Sequence, residues 1–88
     1  MGPAISTDNN KRKSLVMILG NSRDLEGLIH LLEEETDKDI ILHIITIMGA
    51  LGKPEAIAPL LRLIQKHMDE EIILRAREAI NVIHSMSY

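Results

Sequence analysis

The chain has 88 residues, which is enough for one domain with a small core. It contains no cysteine, so disulfides, thiolate metal sites and cysteine catalysis are excluded. Hydrophobic residues make up 45% of it, yet Phe and Trp are absent and tyrosine occurs once, so the core must be aliphatic. The net charge of −3 is mild and negative, so it provides no attractive field towards a phosphate backbone. We therefore expect no nucleic-acid partner.

The N-terminus lacks the apolar run of a signal peptide. No stretch of the sequence approaches the apolar length that a membrane helix needs. We expect a cytoplasmic protein with no membrane partner.

The first segment combines a polar start with a short helix. Residues 1–10 are polar, and we expect them to form a flexible lead-in. A first helix is expected to begin within residues 6–8, where several N-cap candidates occur, and to end at Leu19. Gly20 is the expected left-handed stop.

The second and third helices follow. Ser22 is the expected N-cap of the second helix, whose apolar residues have 3.6-residue spacing and which ends in the acidic run 33–35. Thr36 and Asp39 resemble a capping box and would open the third helix, Asp37–Leu51. This stretch is apolar nearly all round, so it must be covered on most sides. It is predicted to be the central helix.

The last two helices complete an all-α pattern. Gly52 is expected to end the central helix, and the fourth helix should run from Pro54 to about His67. Pro59 lies inside it and predicts a bend or a separate first turn. Asp69 is the expected cap of the fifth helix, which runs to about Ser85. No strand pattern occurs in the sequence, so we predict five antiparallel helices.

The chain also repeats itself with a period of 32 residues. This shift places identical or similar residues on each other: Leu19-Gly20 on Leu51-Gly52, Asp37 on Asp69, and Ile40-Ile41-Leu42 on Ile72-Ile73-Leu74. Two helices per period predict a helical solenoid. The predicted domain covers residues 11–88 and divides into a half unit, 11–20, and two units, 21–52 and 53–85.

The repeat resembles a known family. Residues 50–61, ALGKPEAIAPLL, resemble the HEAT-like repeat of the phycobilin-lyase type, and the stretch from Asp69 to Ile80 resembles the second part of its motif. The resemblance implies a short right-handed α-α superhelix, similar to armadillo folds. It says little about activity, because such repeats serve lyases, hydroxylases and scaffolds alike. The motif's arginine is present as Arg75, but His43 occupies that position in the first unit.

Residues with potential chemistry are few. Metalloenzymes built on this repeat use adjacent His-Glu pairs, and no histidine here is followed directly by a glutamate, so we predict no metal. The sequence also has no Gly-rich phosphate loop and no nucleophile elbow, so we predict no cofactor and no catalytic residue. The basic run 11–13 reads as the polar face of a terminal cap rather than as a nucleic-acid site. The acidic run 33–35 reads as a solvated turn.

The remaining candidates are residues that contact a partner. The resemblance implies that Arg75 lies near Asp37 and Asp69, where it could form a structural ion pair or contribute to partner binding. Glu71, four residues earlier, is a local alternative partner for Arg75. The last helix also carries apolar residues that its inward face does not accommodate. The predicted partner-binding residues are His43, Glu71, Leu74, Arg75, Val82 and Met86.

We therefore predict a non-catalytic protein-interaction or scaffold module. Its contact face would be the second helix of each unit, within 11–19, 37–51 and 69–85. The partner is another protein, or a second copy bound through the last helix. The alternative is an auxiliary subunit or fragment of a HEAT-repeat enzyme such as a tetrapyrrole (phycobilin) lyase, for which His43 and Arg75 are the only acid–base candidates.

Overall fold

The computed structural model describes the backbone of residues 2–86 and the side chains of residues 10–86. Within residues 2–86 the chain forms five α-helices and one short 3₁₀ helix, with no strand. The all-α prediction with five helices is confirmed. The helices are α1 (Gly2–Asn21), α2 (Leu25–Glu34), α3 (Lys38–Leu51), the 3₁₀ helix (Pro54–Ala56), α4 (Ile57–Lys66) and α5 (Glu70–Met86).

Helix α3 lies at the centre of the molecule, as its composition predicts. It packs against α1, α2 and α5, and these neighbours remove most of its apolar surface from water. Burying such side chains is the main source of stability. The buried hydrophobic residues of α3 are Ile40, Ile41, Ile44, Ile45 and Met48.

Helices α1, α3 and α5 lie side by side and point in the same direction. At the start of α3 and α5, Lys38 Nζ lies 3.1 Å from Asp69 Oδ2. Towards their C-terminal ends, a Cβ placed on Gly49 would lie only 3.2 Å from Ala79 Cβ. A Cβ on Gly20, near the end of α1, would lie 2.9 Å from Ile47 Cγ2. Small residues therefore allow these three helices to approach closely.

The other helices cover this layer from behind. Helix α2 packs against α1 and α3, and α4 packs against α5. The buried residues of α4 are Pro59, Leu60 and Leu63. Leu61 is exposed because the buried side of α4 is centred on Leu60 and Leu63.

The two loops that precede α3 and α5 have the same geometry, 32 residues apart. Asp37 Oδ1 accepts the backbone N–H of residues 39 and 40 at 2.9 and 3.3 Å. Asp69 Oδ1 accepts those of residues 71 and 72 at 2.9 and 3.2 Å. The preceding helices also end alike, since Glu35 and His67 donate their backbone N–H to the carbonyl four residues earlier, each at 3.0 Å. The sequence repeat thus corresponds to a repeat of local structure.

The end of α1 differs from the prediction. Gly20 is not a left-handed stop: α1 continues to Asn21, and the residue with positive φ is Arg23, at 57°. Arg23 donates its N–H to the Gly20 carbonyl at 3.1 Å, and Asp24 donates to the Leu19 carbonyl at 2.9 Å. This is a Schellman ending with arginine where glycine is usual. Gly20 instead serves the close approach of α1 to α3.

Three further boundaries refine the predictions. The N-cap of α2 is Asp24 rather than Ser22, since its side chain accepts the N–H of Gly27. The N-cap of α3 is Asp37 rather than Thr36. Aspartate provides a charged acceptor at the positive end of the helix dipole, which explains why both helices are capped by aspartate and not by the predicted serine and threonine. The separate first turn predicted from Pro59 is confirmed by the 3₁₀ helix that precedes α4.

Two other expectations concern where α3 ends and where α1 begins. Gly52 ends α3 with a φ of 67°, as predicted. Helix α1 begins at Gly2, ahead of the expected start. The predicted flexible lead-in, 1–10, lies almost wholly outside the residues whose side chains are described.

A buried carboxylate fastens α1 to the loop between α2 and α3. Glu35 Oε1 lies 3.1 Å from Arg12 Nε, and the Glu35 side chain is only 2% exposed. Its Oε2 accepts the backbone N–H of Thr36 at 3.1 Å and of Asp37 at 3.0 Å. One side chain therefore fixes both the loop and the terminal helix.

Candidate interaction surface

An exposed stripe of α3 separates two surface grooves. We call this stripe the α3 ridge; its residues are Asp39, His43, Thr46 and Ala50, and all four are exposed. Their spacing of four, three and four residues keeps them on one side of the helix. The ridge faces away from the apolar residues that hold α3 in the core.

The first groove lies between α1 and the α3 ridge. Lys13 and Met17 line its α1 side, and Asp39 and His43 line its α3 side. Towards the C-terminal ends of the helices its floor includes Ile47. The groove combines charged edges with an apolar floor.

The second groove lies between the α3 ridge and α5. Thr46 and Ala50 face Arg75, Glu78 and Val82 across it. Ala50 also lines the first groove, so the two grooves border the same ridge and belong to one continuous surface. We call this surface the three-helix face.

The 32-residue period of the sequence assigns exposed residues of α1, α3 and α5 to common positions of the repeat, which we call rows. Two rows consist entirely of exposed residues with a common chemical character. The basic row is Lys11, His43 and Arg75, and the apolar row is Ile18, Ala50 and Val82. The rows are separated by seven residues along each helix, which is about 10 Å at a rise of 1.5 Å per residue.

The ion pair between helices α3 and α5 involves a residue that sequence reasoning missed. Lys38 Nζ lies 3.1 Å from Asp69 Oδ2 and 3.0 Å from Glu71 Oε1. The hydrogen bonds to Glu71 and Asp69 raise the pKa of Lys38 above its ordinary value. The hydrogen bond from Lys38, followed by that from the Ile72 backbone, lowers the pKa of Asp69. Lys38 thus joins the beginnings of neighbouring helices.

Arg75 does not make the ion pair that had been expected with Asp37 or Asp69. Among the described side chains, residues 10–86, Arg75 forms no ion pair, and its side chain is exposed at the second groove. Lys38 instead pairs with Asp69 and Glu71, because it lies at the start of α3, beside the beginning of α5. Arg75 is one turn further along α5 and faces the groove.

The predicted apolar candidates of α5 are exposed. Leu74 is 57% exposed and Val82 is 46% exposed, and Val82 lies in the second groove with Arg75. The end of the Met86 side chain lies against Gly52, because a Cβ on that glycine would be 2.6 Å from Met86 Cε. Met86 therefore covers the end of α3 while remaining 55% exposed.

Helix α1 contributes residues that sequence reasoning did not select. Lys13 and Met17 line the first groove, and Ile18 is 59% exposed. The sequence repeat contained a signal for Ile18, since it precedes Ala50 by 32 residues and Val82 by 64. The predicted contact face included residues 11–19, but no residue of that segment was among the predicted partner-binding residues.

The structure does not bring the two acid–base candidates together. His43 lies on the α3 ridge and lines the first groove, whereas Arg75 lines the second. In the part of the chain that the structure describes, no group of three or more His, Cys, Asp or Glu side chains could hold a metal ion. His30 forms a surface contact with Glu34, 3.6 Å away.

None of the described helices combines the length and apolar character needed to cross a membrane. Comparison of the chain with models of protein families, with curated proteins and with solved structures found no match.

Proposed function

We propose that this protein is a non-catalytic protein-interaction module that binds its partner through the three-helix face. The observation that carries the proposal is the exposure of large apolar side chains in both grooves: Met17, in the first groove, is 56% exposed, and Val82, in the second, is 46% exposed. Apolar groups that gather on one surface lose contact with water when a partner covers them. The free energy gained by burying these apolar groups would favour the binding of a partner.

The arrangement of the face supports this proposal. Its grooves are formed by parallel helices whose spacing is fixed by close contacts at Gly20 and Gly49. A groove of fixed width binds a partner without the entropic cost of ordering a loop. Polar and charged residues border the apolar floor, which is the usual anatomy of a protein interface.

We further propose that the fold is a short right-handed HEAT-like stack of about two and a half units. The repeated caps at Asp37 and Asp69 support it, as does the register of α3 and α5, in which Lys38 meets Asp69 and Gly49 meets Ala79. The tetrapyrrole-lyase alternative receives no support of this kind, since its candidate residues lie in separate grooves.

Site-specific photocross-linking tests the proposed function. A photoreactive phenylalanine analogue placed at Ala50, which lines both grooves, is compared with the same group at Gln65, an exposed residue of α4. In cells that express the protein, we expect discrete adducts from residue 50 and none from residue 65. The adduct mass separates a second copy of the chain from a different protein. Equal labelling at both positions, or none at residue 50, would contradict the proposal.

A further inference from the structure

We propose that the protein forms a two-fold symmetric dimer through the free side of α5, in which two α5 helices run antiparallel and Glu70 of each copy pairs with Arg77 of the other. The partner at this surface is therefore a second copy of the chain. The inference goes beyond the proposed function, because it concerns the side of α5 that faces away from the second groove. It is carried by the structural repeat, by the exposure of the side chains on this side and by the pattern of their charges.

The 32-residue repeat locates this side of the helix. On α3, Lys38 faces α5, because it contacts the beginning of that helix. Ile45 and Gly49 also face α5, because they line the second groove. The residues 32 positions later, on α5, are Glu70, Arg77 and Asn81, and all three are exposed. Residues three and four positions apart share one side of a helix, and we call this side the α5 flank; it comprises Glu70, Ile73, Leu74, Arg77, Ile80, Asn81 and His84.

The α5 flank keeps the apolar residues of a packed surface but is only partly covered. On α3, Ile41 and Met48 are fully buried. Their counterparts on α5, Ile73 and Ile80, are partly buried, and Leu74 is 57% exposed. The helices that pack against α5 within residues 2–86 thus leave this side partly open. Covering these side chains would remove them from water, which favours association.

Another helical unit of the same kind would not fit on the α5 flank. Helices α3 and α5 approach closely because residue 49 is glycine: a Cβ there would lie 3.2 Å from Ala79 Cβ. The counterpart of Gly49 on α5 is Asn81, whose side chain would occupy that space. The counterpart of the buried Ile45 is Arg77, and burying a charge without a partner is costly. The occupant of the flank must therefore approach less closely and must offer an acid to Arg77.

The charges of the α5 flank are self-complementary. Glu70 and Arg77 are separated by two helical turns, about 10 Å along the axis, and Ile73 and Leu74 lie midway between them. Neither charged residue forms an ion pair with another side chain among residues 10–86. When a second α5 is placed antiparallel about a two-fold axis at the midpoint, Glu70 of each copy faces Arg77 of the other. This isologous contact forms two ion pairs and brings the apolar residues of the two copies together. In a parallel pair, each charge would face its own kind.

The size of the contact sets the expected affinity. Helix α5 has 17 residues, so it is about 25 Å long and about 10 Å wide. The contact of one such helix with another is smaller than the area of about 800 Å² per partner that a standard protein interface buries. We therefore expect a weak dimer, with a dissociation constant of about 10–100 μM.

Sedimentation equilibrium of the full chain, over a range of about 5–500 μM, tests the proposal. We expect the unmodified protein to show a monomer–dimer equilibrium. Glu70→Arg and Arg77→Glu should each weaken it about tenfold, because each change places two pairs of like charges across the contact. Glu26→Arg is the matched control, since Glu26 is also an exposed acid in the first turn of its helix and lies on α2. A monomer at every concentration, or equal losses from Glu70→Arg and Glu26→Arg, would overturn the proposal.

Complementary variants separate the loss of ion pairs from damage to the fold. The double variant Glu70→Arg/Arg77→Glu exchanges the two charges, so it should dimerise as the unmodified protein does. An equimolar mixture of the two single variants should form a heterodimer, because all the acids of the contact then lie on one copy and all the cations on the other. If neither sample recovers the dimer, the antiparallel register is wrong and the proposal fails.

A disulfide between copies tests the position of the two-fold axis. The chain has no cysteine, so Leu74→Cys introduces a single thiol beside the axis, and Thr46→Cys places one on the α3 ridge as the control. On oxidation we expect Leu74→Cys to give a covalent dimer and Thr46→Cys to remain monomeric. Equal cross-linking of the two variants would contradict the proposed contact. Cross-linking of Thr46→Cys alone would place the second copy on the three-helix face, which would overturn this inference and leave the proposed function standing.

Discussion

The buried carboxylate of Glu35 offers the sharpest test of what holds the terminal helix in place. Replacing it in Glu35→Ala removes two backbone hydrogen bonds, from Thr36 and Asp37, and the ion pair with Arg12. Each hydrogen bond contributes about 1 kcal/mol. The partly exposed ion pair adds about 0.5–1 kcal/mol. The free energy of unfolding should therefore fall by about 2–3 kcal/mol.

This loss would be large for so small a domain. At about 0.05–0.15 kcal/mol per residue, the 88 residues give a total stability of about 4–13 kcal/mol. Urea denaturation followed by circular dichroism at 222 nm measures the change through its midpoint and slope. Glu34→Ala is the matched control, since its carboxylate is exposed and contacts only the surface residue His30 within the described side chains. A Glu35→Ala midpoint equal to that of Glu34→Ala would refute the reasoning.

Three other predictions use the same denaturation assay. Arg23→Gly should stabilise the fold by about 0.5–1 kcal/mol, because the residue has positive φ and glycine adopts that region without strain; a loss of stability would contradict the Schellman assignment. Gly52→Ala should cost about 1–2 kcal/mol for the converse reason and for its contact with Met86, and an unchanged midpoint would contradict it. Lys38 lowers the pKa of Asp69, so this contribution to stability is present above the unfolded-state pKa, about 3.9, and is lost as the pH falls through the lower folded-state pKa. Lys38→Met should therefore reduce the loss of stability as the pH falls below about 4, and equal acid sensitivity of the two proteins would count against the ion pair.

The central helix was predictable because every signal for it is local. Its composition from Asp37 to Leu51 demands burial on most sides, and glycine follows at the point where the apolar pattern stops. The observed helix begins one residue later and ends where expected. Its aspartate cap also recurs at Asp69, so the same signal for a helix start occurs in both units of the repeat.

Gly20 shows why equal residues at equal positions in a repeat need not have equal roles. Its counterpart Gly52 has the predicted left-handed backbone. At Gly20, however, glycine is needed for the packing of α1 against α3, because Ile47 of α3 occupies the space that a side chain would fill. No sequence pattern distinguishes these two demands, and the left-handed residue falls instead on Arg23.

The candidate surface was predictable only in part, for a related reason. Periodicity identifies which residues of one helix share a side, and it selected Val82. The resemblance to the repeat motif selected His43 and Arg75. Neither gives the distances between side chains of different helices. The ion pair of Lys38 with Glu71 and Asp69 depends on how far α3 and α5 slide along each other. That offset becomes known only when the helices are packed.

The attachment of residues 10–21 of α1 has a consequence for how the molecule opens. Over these described side chains, Val16 is the one that is fully buried, and Arg12 supplies the ion pair to Glu35. A segment with so few buried side chains can detach at a lower free energy than the rest of the protein unfolds. Detachment would bare the side of α3 around Ile47. Amide protons of α1 should then exchange with deuterium before those of α3, and the hydrophobic flank uncovered in those moments is where self-association or proteolysis would begin.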